Sequence, residues 1–197
     1  MGKFVKSFKA FLHDEDASMT VEFVIWIPWL LFYLVFTTSA YLAMDSRLEA
    51  MRASITLTDI TSRVEVDFDA ALIGDLDTMF QALTPSATDD RLVRISRVDW
   101  VGGAYVVAWT FCLGDVEPLE AADLVDNDNL AAVMPPMADL SSILLVETYV
   151  PYTPVSEAFG LEPVVWANRK VVTPRFVISP TIAAGVDQLG CGTVAVE

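Results

Sequence analysis

From Phe23 to Met44 the chain carries no charged side chain. These 22 residues span about 33 Å as a helix, enough to cross a bilayer's hydrocarbon core. A signal peptide fits less well, because its apolar region is shorter and Ser39-Ala40-Tyr41 makes a poor cleavage site. Beyond Met44 the apolar positions turn periodic. Leu48, Met51 and Ile55 recur at helical spacing with Arg47, Glu49 and Arg52 between them, so the helix is expected to continue as an amphipathic stem to about Arg63. Phe68 to Leu83 reads as a second, acidic helix stopped near Pro85. Strands follow. Arg91 to Trp100 and Ala104 to Leu113 flank Val101-Gly102-Gly103, a hairpin signal, and Tyr105, Val107, Trp109 and Phe111 alternate as if onto one sheet face. Ser141 to Pro151 reads as a third strand. Lys170 to Pro180, interrupted by Pro174, reads as an edge strand or two short pieces. The expected fold class is α+β: an N-terminal transmembrane helix, its stem, and a mainly antiparallel sheet.

Composition first contradicts this pattern and then supports it. The chain has 197 residues, a formal net charge of -15 and yet 54% hydrophobic residues. Acidity and apolarity coexist because they lie in different places. From residue 45 onward there are 23 acidic and 9 basic residues, so the charge belongs to the part beyond the membrane. Such a surface repels phosphates, and nucleic acid is excluded as a partner. Lys3, Lys6 and Lys9 precede the span, while Arg47 and Arg52 follow it. By the positive-inside rule the N-terminus is expected in the cytoplasm and the C-terminal domain outside it. Cys112 and Cys191 are the only cysteines, and both lie on that outer side. They read as a disulfide, the alternative being two independent buried thiols.

Little in the chain suggests catalysis. His13, the single histidine, precedes the span, so no Ser-His-Asp or Cys-His arrangement can form beyond it. The cysteines lack CxxC spacing, and no phosphate-binding glycine motif occurs. The pairs Asp67/Asp69, Asp75/Asp77 and Asp126/Asp128 raise calcium as a ligand. Leu130 and Ala131 follow the last pair where an EF-hand needs glycine, so a solvated acidic surface is the better reading. No enzyme activity, cofactor or metal is expected. Asp115 to Asp139 is long enough to be a functional surface loop.

The junction before the span is the most informative segment: Asp14-Glu15-Asp16-Ala17-Ser18-Met19-Thr20-Val21-Glu22-Phe23. A glutamate at the mouth of a membrane helix calls for a reason. It either sits at headgroup level and favours the helix N-terminus, or has an ionic partner. Over residues 9 to 48 the chain resembles the TadE/TadF-like minor pseudopilins of the tight-adherence (Flp) type IV pilus. In that family a basic leader ends in an acidic patch and a small residue, and a glutamate follows at mature position five. The resemblance implies a leader over 1–17, a prepilin-peptidase cut between Ala17 and Ser18, and a mature chain of 180 residues. Glu22 and Phe23 would serve assembly. Where the family most often has glycine this chain has Ala17, still small enough for a narrow peptidase subsite. The implied layout is a transmembrane helix over 18–44, a stem over 45–66 and an extracytoplasmic α+β, pilin-like domain over 67–197. The implied partners are the bacterial inner membrane, the prepilin peptidase, other pilins or pseudopilins and the assembly platform, with the C-terminal domain periplasmic. An unrelated single-pass anchored binding or scaffold protein is the alternative. Within the span Pro28 is expected to kink the helix, and Trp26, Trp29 and Tyr33 serve as interface anchors or packing surface.

Overall fold

The computed structural model describes residues 15–87, 91–126, 134–155, 162–183 and 191, and of residues 15–18, 20, 125 and 126 only the backbone. The basic leader and His13 lie outside the described residues, as does Asp128. Helix α1 runs unbroken over Glu15–Ser62, 48 residues, with Pro28 inside it. Its rise of 1.5 Å per residue makes it about 72 Å long. The late turns are rich in threonine, a poor helix former. Thr56, Thr58 and Thr61 each donate the side-chain hydroxyl to the carbonyl four residues back, which satisfies the hydroxyls within the helix.

Helix α2 spans Ala70–Leu83. It starts two residues later than the sequence suggests, because Asp69 caps it, accepting from the Leu72 N–H at 2.8 Å. Phe68 instead forms a parallel bridge with Ile182 and is fully buried. Ile73, Leu76 and Phe80 form the inward stripe of α2. Thr84 and Pro85 end it: Thr84 takes the C-cap, and proline cannot continue the helix.

Four antiparallel strands follow: β1 Leu92–Val101, β2 Ala104–Leu113, β3 Ser142–Tyr152 and β4 Val164–Val172, in spatial order β2-β1-β3-β4. Gly102 and Gly103 close the β1–β2 hairpin with φ of 61° and 86°, positive at both positions as a type I′ turn requires. The last strand lies earlier than Lys170 to Pro180. Thr173-Pro174 ends it, and residues 175–183 cross back to α1, with the Arg175 N–H donating to Ser62 O at 2.9 Å. A one-turn helix, α3, covers Asp123–Asp126.

The sheet buries both faces. Val93, Ile95, Trp109, Phe111, Leu144, Val146 and Val150 meet Ala50, Ala53 and Leu57 of α1 and the inward stripe of α2. The opposite face, with Val98, Ile143 and Leu145, is covered by Leu119, Leu124 and Met134. The acidic 115–139 connection is therefore a lid on the sheet as far as its described residues show, not a free surface loop. Tyr105, Val107, Trp109 and Phe111 do not share a face. Arg97 pairs with Trp109 while Val98 pairs with Val107, so Ala108 bulges and the alternation reverses. Trp109 and Phe111 face the helices, and Tyr105 and Val107 face the lid.

Candidate functional site: an exposed apolar helix and a buried ion network

Two features stand apart from ordinary core packing. The first is the N-terminal half of α1. Every large apolar side chain from Val21 to Phe36 is exposed, including Trp26 at 68% and Trp29 at 66%. The most apolar 18-residue stretch of the helix is only 6% buried, unlike the core helix of a soluble protein, and the helix is long and apolar enough to cross a membrane. Burying one such side chain is worth about 1.5–3 kcal/mol, so water is a poor solvent for this segment. Glu22 and Phe23 lie on it, both exposed, at its N-terminal edge. Ala17 and Ser18 belong to the first helical turn, which places Ser18 and Glu22 one turn apart on the same helix. Pro28 lies six residues beyond Glu22.

The lower half of α1 docks on the sheet, and its buried face is unexpected. Ser39, Ser46, Ala50, Ala53, Ser54 and Leu57 turn inward, while Leu48 is 46%, Met51 37% and Ile55 51% exposed. The apolar stripe that marks the stem as amphipathic in the sequence is the outer one. Small residues let the helix lie close to the strands. Trp166 Nε1 donates to Ser46 Oγ at 3.2 Å, and Arg47 lies over the Trp166 ring at 5.6 Å from its centroid. Burial begins at Ser39, before the end of the charge-free run.

The second feature is a row of charge across three strands. Register places Glu147 opposite Arg94 on one side and Arg169 on the other. Arg94 Nε donates to Glu147 Oε2 at 2.6 Å, and Arg169 Nε donates to Oε1 at 2.9 Å. Tyr149 Oη donates to Oε1 at 3.2 Å, and an Arg94 terminal nitrogen donates to the Glu117 carbonyl at 2.8 Å. Glu147 is fully buried. A carboxylate enclosed by three donors ties the three strands together. Burial lowers the Arg169 pKa, but the hydrogen bond to Glu147, followed by the charges of Tyr149 and Glu147, outweighs it and raises the pKa. Burial first, then the Glu147 charge, raise the Tyr149 pKa above 10.0.

That shift fixes the sign of a pH effect. The folded state holds the phenolic proton more tightly than the unfolded state does. Its contribution is complete below about pH 10 and is lost as pH rises through the raised folded-state value. The stability difference between wild type and Tyr149→Phe should be constant from about pH 7 to 10. It should then shrink at higher pH, in chemical denaturation at fixed temperature. A difference that grows there would contradict the assignment.

Beside this row a disulfide joins Cys112 of β2, opposite Arg94, to Cys191, with Cα atoms 4.8 Å apart. It settles the alternatives left by the sequence in favour of pairing. It also holds Cys191 next to the lid, where it bridges Val116. Three of the paired aspartates have separate duties. Asp67 accepts from the Thr181 hydroxyl, Asp69 caps α2, and Asp77 accepts from Gln81 at 2.9 Å. Among the described residues no three His, Cys, Asp or Glu side chains are grouped to hold a metal ion. A cleft of about 350 Å³ is lined by Asp77, Gln81, Arg91, Leu92, Leu113, Gly114 and Asp115. Its arginine is already bound to Thr84 through Nε and a terminal nitrogen.

Sequence reasoning missed the Arg94–Glu147–Arg169–Tyr149 network. The one available signal was a lone glutamate inside the apolar run Ile143-Leu144-Leu145-Val146-Glu147-Thr148-Tyr149-Val150. No protein-family model, curated protein or solved structure matches the chain.

Proposed function

We propose that the protein is a membrane-anchored assembly component: a minor pseudopilin resembling the TadE/TadF-like family, taking part in building a tight-adherence (Flp) type IV pilus. The observation that carries this reading is the division of α1 into an apolar half exposed on all sides and a half docked on an α+β domain. The apolar half enters the bacterial inner membrane, and the domain stands in the periplasm. That oxidising compartment suits the Cys112–Cys191 bridge. The prepilin peptidase cuts between Ala17 and Ser18 and leaves an ammonium on Ser18. Glu22, of the same or a neighbouring helix, pairs with that ammonium, so neither charge stays alone at the membrane edge. The pairing sets the axial register of helices that gather at the assembly platform with other pilins or pseudopilins. The role is structural, with no chemistry of its own and no cofactor.

Glu22→Gln tests this reading. It keeps the shape and removes the charge. The expected outcome is normal membrane insertion and a normal fold, with assembly of the pilus reduced at least about tenfold, the equivalent of one lost ion pair of roughly 1.4 kcal/mol in a low-dielectric setting. Wild-type pilus formation by the Glu22→Gln protein, at equal abundance in the membrane, would remove Glu22 from the mechanism.

A further inference from the structure

From Tyr41, near the end of the bilayer-length run, onward, the exposed large apolar side chains of α1 are Tyr41, Met44, Leu48, Met51 and Ile55. Their spacing is three, four, three and four residues. At 100° per residue they fall within an arc of about 80° on the helix. Toward the N-terminus the same seam continues through Leu34 and Leu30, also exposed. From residue 45 onward the seam is narrow, with Asp45 and Arg52 on one flank and Arg47 on the other. A lipid-facing helix is apolar over its whole exposed surface. A thin stripe between charges is instead the pattern of a helix that takes one partner helix. The opposite face of α1 is already occupied by the sheet.

The charges select the partner. In a parallel pair, position 47 of one helix faces position 52 of the other. A second copy would oppose Arg47 and Arg52 twice, once on each side. An antiparallel copy would bring Asp45 against Arg52, but two chains with N-terminal spans in one membrane cannot run antiparallel there. We infer that the seam Tyr41–Met44–Leu48–Met51–Ile55 docks a parallel amphipathic helix of a different chain. That chain is anchored in the same membrane and bears acidic residues facing Arg47 and Arg52 and a basic one facing Asp45. The inference deepens the assembly reading and rests on it only for the shared membrane. Neither cleavage at Ser18 nor the Glu22 pairing enters into it.

The test uses the full chain in nanodiscs with a co-reconstituted single-pass probe helix. The probe has leucine at the seam positions, glutamate facing Arg47 and Arg52, and lysine facing Asp45. A control probe carries the inverted charges. Energy transfer between labels on the two N-termini reports association. The glutamate-flanked probe should associate at least about fivefold more tightly than the inverted one. Arg52→Glu should narrow or reverse that preference. Leu48→Gln with Met51→Gln should abolish association of both probes without changing the thermal melt, since neither side chain is buried. Met44→Gln, at a position 69% exposed, gives the same reading should the double variant lose its fold. Equal association of the two probes, or association indifferent to the glutamine variants, overturns the inference. So does self-association of the chain that the glutamine variants abolish, because the occupant is then a second copy. Each of these results leaves processing at Ser18 and the Glu22 phenotype as they were, so failure of the seam is separable from failure of the assembly reading.

Discussion

Glu147→Leu should destabilise the folded domain by about 3–5 kcal/mol, the range for removing one partner of a buried ion pair. The loss comes less from a broken attraction than from what remains behind. Arg94 is only 10% exposed at its side chain and sits between the strands and the lid, so it cannot turn out to water once its carboxylate is gone. Arg169, 28% exposed on the edge strand, can swing into solvent. Arg169→Ala should therefore cost only about 1 kcal/mol, close to an exposed pair. The ordering is the sharper part of the expectation. Urea denaturation of the two variants should place Glu147→Leu well below Arg169→Ala. Equal losses would mean that the network is worth no more than a surface salt bridge. A domain of this size has a total stability of roughly 5–15 kcal/mol, so the larger loss could leave much of the protein unfolded at 37 °C.

The second large effect belongs to the disulfide. Cys112 and Cys191 are 79 positions apart, and closing a loop of that length restricts the unfolded chain enough to contribute up to about 4.5 kcal/mol. Cys112→Ala with Cys191→Ala should lower stability by about 2–4 kcal/mol, some of the ideal figure being lost to residual order in the unfolded state. Adding reductant to the wild type should reproduce the double variant's denaturation curve, and the variant itself should not respond to reductant. A wild type equally stable with and without reductant would show that the bridge does not hold the fold.

Parts of this architecture were legible in the sequence because the signals were local. The charge-free run, the Gly102-Gly103 turn and the Pro85 stop each act within a few residues, and the structure places elements where they point. What stayed hidden depends on partners distant in the chain. Hydrophobic periodicity marks Leu48, Met51 and Ile55 as one stripe but does not say which face of the stem meets the sheet. Close approach of the helix to β3 and β4 instead selects the small face with Ser46 and Ala50. Alternation along β2 cannot announce the bulge at Ala108, because the bulge is a property of its pairing with β1. Glu147 is visible as a lone charge in an apolar strand. Its two arginines are 53 and 22 positions away and meet it only through sheet register. Residues 115–139 look like a surface loop by acidity, while Leu119, Leu124 and Met134 do the covering. In the candidate site the helix edge at Glu22 was read from sequence alone, and the outer seam of the stem came from exposure.

The central claim is that this helix is a processed pilin-type anchor and not a generic one. Sequencing the N-terminus of the protein extracted from membranes of cells that contain a prepilin peptidase tests it most directly. The expected first residue is Ser18, with the uncut chain accumulating when the peptidase is removed. A chain that begins only at Met1 in the peptidase's presence would contradict the claim.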